Sequence, residues 1–88
     1  MILPEKNGAI RKGYYLITNV YSDKVTAEKK MAELRRLGLK KSGFFTTPSG
    51  EWNYVFLERY DNLEDAKKAN SSNYNNKYKD IIWMLPIL

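Results

Sequence analysis

The strongest alternation in the chain is Trp52-Asn53-Tyr54-Val55-Phe56-Leu57-Glu58-Arg59-Tyr60, which predicts a central strand because successive strand side chains point to opposite faces. Val55 and Leu57 fall on one face, and Trp52, Tyr54, Phe56 and Glu58 on the other. A strand that is aliphatic on one side and aromatic on the other fits a sheet with its core on the first face and the second left open to something flat. Upstream, Gly13 admits Tyr14-Tyr15-Leu16-Ile17-Thr18-Asn19-Val20-Tyr21, whose β-branched and aromatic content predicts the first strand. Leu16, Thr18 and Val20 are expected in the core, opposite Tyr15, Ile17, Asn19 and Tyr21, unless a bulge near Asn19 swaps the last two.

Between these strands, Ala27, Met31 and Leu34 recur at i, i+4, i+7 behind Ser22 or Asp23, either of which can cap, and this predicts a helix ending at Gly38. Leu39–Thr47 and Trp52–Tyr60 flank Pro48-Ser49-Gly50-Glu51, a turn that predicts a β-hairpin. Its register places Phe45 opposite Tyr54 and Gly43 opposite Phe56 on the aromatic face, leaving a shallow hollow at the glycine, with Phe44 opposite Val55 in the core. Asn62 caps a short second helix carrying Leu63, Ala66 and Ala69, and Asn70–Asn76 is expected as a polar loop. Ile81–Leu85 predicts the last strand, with Pro86 placing it at a sheet edge or ending its pairing. The order is βαββαβ: an α+β, ferredoxin-like fold with one four-stranded antiparallel sheet, two helices on one face, and the first and third strands central.

Eighty-eight residues make one domain, assigned to residues 13–88, with Met1–Lys12 as a flexible lead-in. Fifteen basic and ten acidic residues give a net charge of +5, and most of the cations fall on predicted helix surfaces. The chain has no cysteine and no histidine, which removes disulfides, Ser-His and Cys-His nucleophilic pairs and the usual metal ligands. No catalytic residue, metal or cofactor is therefore expected. Glu58 beside Phe56 has the setting of a glycosidase acid but lacks an identifiable second carboxylate, so a non-enzymatic role is expected. The apolar runs are too short for membrane insertion, and the chain does not open on a leader pattern.

Gly13-Tyr14-Tyr15-Leu16-Ile17-Thr18-Asn19-Val20-Tyr21-Ser22, then Ala27 to Gly38, then Tyr54-Val55-Phe56-Leu57-Glu58-Arg59-Tyr60-Asp61 with Glu64-Asp65-Ala66, resemble the SPOR domain in the form found at the ends of envelope proteins of Bacteroidetes-type bacteria. That resemblance implies a periplasmic module that binds peptidoglycan glycan strands stripped of their stem peptides, as at sites of cell division, through the open face of its sheet. Most members carry Gln and then Gly-Ser-Phe in the first strand, and Gly-Pro-Phe at the end of the third. Here Ile17 replaces the Gln, and Asn19-Val20-Tyr21 and Glu58-Arg59-Tyr60 replace the triplets. The departures imply stacking in place of the usual hydrogen bonds, or a different ligand.

The expected glycan contacts are Tyr15, Ile17, Asn19, Phe45, Tyr54, Phe56 and Trp83, since aromatic rings cover the C–H faces of sugars and an amide suits their hydroxyls. The opposing expectation is that Tyr14, Tyr15, Tyr54, Phe56 and Trp83 are covered by the lead-in, by neighbours of the last strand or by a partner domain. An RNA-recognition motif shares this topology and stacks bases on the same strands, but the third strand lacks that motif's basic-Gly-aromatic pattern, so nucleic acid is not the expected partner. Docking onto other envelope proteins through the same face is the remaining alternative.

Overall fold

A computed structural model describes residues 11–88, so the expected lead-in lies outside the described residues except for Arg11 and Lys12. The elements are β1 (Gly13–Tyr21), α1 (Lys24–Arg36), β2 (Gly43–Thr46), β3 (Asn53–Tyr60), α2 (Leu63–Ser71) and β4 (Trp83–Ile87), with a four-residue turn, Asn73–Asn76, before β4. The strands form one antiparallel sheet in the order β2-β3-β1-β4, with β1 and β3 central. Ala27 and Leu34 of α1 pack with Leu16, Val55 and Leu57 of the central strands, and Ala69 of α2 joins them. Among the described residues the opposite face carries no helix, in keeping with an α+β, ferredoxin-like arrangement.

Local chemistry sets where each element starts and stops. The Asp23 carboxylate accepts the Thr26 N–H at 2.9 Å and its hydroxyl at 2.7 Å, bonds that hold it below the usual carboxylate range and start α1. At the far end, Gly38 takes φ +95° while the Leu39 N–H reaches the Leu34 carbonyl and the Gly38 N–H that of Arg35, both at 3.0 Å. This is the Schellman closure, and it turns Leu39 into the core instead of releasing it into a strand. A further turn, Ser42 N–H to the Leu39 carbonyl, delays β2 to Gly43, four residues later than the sequence suggests.

The second half shows the same control. Asn62 caps α2 by accepting the Asp65 N–H at 2.9 Å; Ala66 is buried, whereas Leu63 stays exposed and contributes nothing to the core. The expected polar loop begins late, because α2 runs to Ser71. Asn73, Tyr74, Asn75 and Asn76 then take φ of 52°, 57°, 57° and 62°, a single left-handed turn. Asparagine tolerates that region best, and the Ser72 hydroxyl anchors the turn by accepting the Asn75 N–H and donating to the Lys68 carbonyl. β4 begins at Trp83, leaving Ile81 exposed outside the sheet, and continues through Pro86 to Ile87. An edge position makes the proline tolerable, since one side of the strand needs no ladder donors.

Candidate functional site: the helix-free sheet face

The hairpin register is the one its turn predicts: Gly43 lies opposite Phe56, Phe44 opposite Val55 and Phe45 opposite Tyr54. β4 sets Trp83 opposite Ile17 and Leu85 opposite Tyr15. Six of the seven expected contact residues, Tyr15, Ile17, Phe45, Tyr54, Phe56 and Trp83, therefore share the helix-free face. They do not form a bare floor. Tyr15, Ile17 and Phe45 are 3%, 0% and 2% exposed and make a second apolar core with Tyr54, Phe56, Leu85 and Ile87 packed against it.

Ring geometry explains the sealing. The Phe45 ring stacks on Tyr54 at 5.3 Å and meets Tyr15 edge-on at 5.0 Å, while Tyr15 meets Phe56 edge-on at 4.9 Å. The Tyr15 hydroxyl donates to the Arg11 carbonyl at 2.7 Å and accepts the Arg11 N–H, so the chain entering β1 closes over that ring. The expected hollow at Gly43 is filled by the Phe56 ring, whose tip would stand 2.9 Å from a Cβ placed there. Glycine at 43 thus serves ring-on-backbone packing, and not a ligand.

Two register shifts correct the assignment of faces. β3 advances three residues from Phe56 to Arg59 while β1 retreats two, from Ile17 to Tyr15, so Leu57 and Glu58 share the place opposite Leu16. Glu58 is thereby turned from the aromatic face to the helix side. The second shift lies between Ile17 and Asn19 and sets Asn19 opposite Val55, on the helix side, so Asn19 is not part of the aromatic face. Its Oδ1 is buried without a hydrogen-bond partner. Beyond this bulge the alternation is inverted: Val20, expected in the core, lies opposite Tyr54 on the aromatic face, and Tyr21 packs against the main core.

Among the described residues, one corner of the face is the most exposed. Trp83 is 41% exposed and meets the half-buried Tyr54 ring edge-on at 6.3 Å; Val20, 38% exposed, lies opposite Tyr54; and Trp52, 47% exposed, stands just before β3, two residues ahead of Tyr54. Simple alternation assigns Trp52 to this face, whereas Val20 is visible from the sequence only if the bulge is granted.

On the helix side, the re-aimed Glu58 becomes the floor of a cleft of 360 Å³ lined by Gly38, Lys40, Lys41, Tyr60, Ala69, Tyr74, Asn75 and Lys77. Glu58 Oε1 accepts the Tyr74 hydroxyl at 2.7 Å and the Tyr60 hydroxyl at 3.2 Å, and Lys41 pairs with Oε2 at 3.3 Å. Desolvation, followed by the neighbouring Glu58 charge, pushes the Tyr60 hydroxyl well above its ordinary value; for Tyr74, desolvation and its bond to Glu58 do the same. Because the folded-state values lie above the unfolded one, the stability these groups lend is complete below about pH 10 and is lost as pH rises from there toward the folded values. In an absorbance titration, Tyr60 and Tyr74 are expected to ionise only with alkaline unfolding, in step with the loss of circular dichroism. Ionisation of every tyrosine near pH 10 in a still-folded domain would contradict the clamp.

No group of three or more His, Cys, Asp or Glu positioned to hold a metal occurs among the described residues, and none of their helices is long and apolar enough to cross a membrane. The chain matches no protein-family model, no curated protein and no solved structure.

Proposed function

We propose that the domain is a non-catalytic, SPOR-like module of the bacterial periplasm that binds peptidoglycan glycan strands lacking stem peptides, at the exposed corner formed by Trp83, Tyr54, Trp52 and Val20. The observation that carries this reading is that corner: two exposed indoles beside a half-buried phenol, on a sheet face where Tyr15 and Phe45 are sealed. Pyranose rings present flat C–H surfaces, and indole and phenol rings cover such surfaces while leaving the sugar hydroxyls in water. A stem peptide on the glycan would hold those faces away from the rings. The lactyl carboxylate of a denuded muramic acid is also favoured by the chain's net charge of +5, a modest, salt-dependent gain.

A non-catalytic role is favoured because Glu58, the acid nearest the aromatic run in sequence, lies on the helix side with both carboxylate oxygens engaged. RNA is the weaker reading: stacking bases on the central strands requires a free ring at Tyr15, which is only 3% exposed. The test is cosedimentation with purified sacculi. The domain is expected to be retained by amidase-treated sacculi and much less by intact ones. Equal retention by both, or by neither, would overturn the proposal, and micromolar binding of single-stranded RNA with a steep salt slope would replace it.

A further inference from the structure

The helix-side cleft is a separate feature, on the opposite side of the sheet from the aromatic corner. Its cations exceed what the fold requires. Glu58 is already satisfied by Tyr60, Tyr74 and Lys41, and Arg35 and Arg36 already occupy the last turn of α1. Lys40 and Lys77 still line the same cleft, and neither has a carboxylate within ion-pair reach among the described residues. Three lysines against one glutamate leave two surplus positive charges around a concave space of 360 Å³. One wall of that space is built from the left-handed turn, which carries Tyr74 and Asn75 and leads into Lys77. Consecutive non-glycine residues in that region are costly and persist only where surrounding contacts hold them, here the Tyr74–Glu58 bond.

We propose that this cleft binds a compact anion carrying at least two negative charges, of the phosphoryl or polycarboxylate kind. Lys40, Lys41 and Lys77 supply the charge, the Asn75 amide supplies a neutral polar contact, and the Glu58–Tyr60–Tyr74 clamp fixes the wall. Lysine ammonium groups act on such an anion as point charges, so selection is by charge density more than by shape. Glu58 faces the same space and opposes the anion.

The test is an NMR titration of backbone amides in the folded chain at low ionic strength, with inorganic pyrophosphate, tricarballylate and acetate as separate probes. Pyrophosphate or tricarballylate is expected to shift Gly38, Lys41, Ala69 and Asn75 saturably, and acetate to shift them far less. Lys40→Gln and Lys77→Gln should each weaken binding by about three- to tenfold, the loss of one nearby charge. Glu58→Gln should tighten it, because glutamine still accepts the tyrosine hydroxyls while the repulsion disappears. Lys29→Gln, on the exposed side of α1, should leave it unchanged. Retention on denuded sacculi should not respond to Lys40→Gln or Lys77→Gln, so failure of this inference and failure of the glycan reading are distinguishable. Non-saturating shifts spread over all surface lysines, or equal affinity in Lys77→Gln and Lys29→Gln, would overturn it.

Discussion

Phe45→Ala is expected to cost about 3–5 kcal/mol of stability, the range for removing a buried aromatic ring. For a domain of this size total stability is on the order of 5–15 kcal/mol, so the variant should sit near the edge of unfolding at room temperature. Phe45 is 2% exposed and touches rings on both central strands: Tyr54 stacked against it, Phe56 at 6.2 Å and Tyr15 edge-on. Its removal opens a void that the sheet backbone cannot close, because the rings around it are held by their own strands. A ring that merely lined a solvent-facing floor would cost a fraction of this. The measurement is the urea midpoint at constant m-value, with Phe45→Leu expected to lose much less. A wild-type midpoint in Phe45→Ala would mean that the helix-free face is a surface and not a second core.

That outcome bears on how the sheet spends its aromatic residues. A four-stranded sheet in a small domain has little apolar area to bury under two short helices, one of which, α2, buries only Ala66 and packs Ala69. The second face makes up the difference. Its rings are arranged edge-to-face and stacked, contacts worth roughly 0.5–1.5 kcal/mol per pair beyond the area they bury. Among the described residues, the end of the sheet around the second bulge, with Trp83 opposite Ile17 before it and Val20 opposite Tyr54 after it, is the least covered by this packing.

The sequence was informative wherever a local rule acted alone. Asn62 as a cap, Gly38 as the left-handed stop and the hairpin register all follow from side-chain chemistry within a few residues and appear where expected, and of the two candidate caps Ser22 and Asp23 the structure uses Asp23. Period-two alternation assigned Phe45, Tyr54 and Phe56 to one face for the same reason. It failed at Asn19, Val20 and Glu58 because each lies at or beyond a bulge, and a bulge depends on how two distant strands fit together. The swap near Asn19 was legible as a possibility, since a polar residue interrupts the pattern there. At Leu57-Glu58 the polar pair Glu58-Arg59 also interrupts the pattern, but the reason a carboxylate is wanted on the helix side lies with Tyr60, with Lys41 and with Tyr74, which follows α2 in the chain. Burial was the least legible property. Nothing within the strands distinguishes a ring that faces solvent from one that faces another ring.

Trp83→Ala is expected to separate the glycan-binding role from packing more cleanly than any other change. Its ring is 41% exposed and its one ring contact is the edge-on meeting with Tyr54, so the melting temperature should move little. If the corner holds denuded glycan, Trp83 is one of its two open indoles and the one in ring contact with Tyr54, and truncation should cost about 2 kcal/mol of binding, a roughly thirtyfold fall in affinity for amidase-treated sacculi. Tyr54→Ala would confuse the two roles, because that ring also stacks on Phe45 at 5.3 Å and should lose stability along with retention. Trp52→Ala, at the margin of the corner, should weaken retention without affecting folding. Wild-type retention by a folded Trp83→Ala would remove the corner from the glycan site, and an accompanying large fall in melting temperature would show that the indole serves the second core instead.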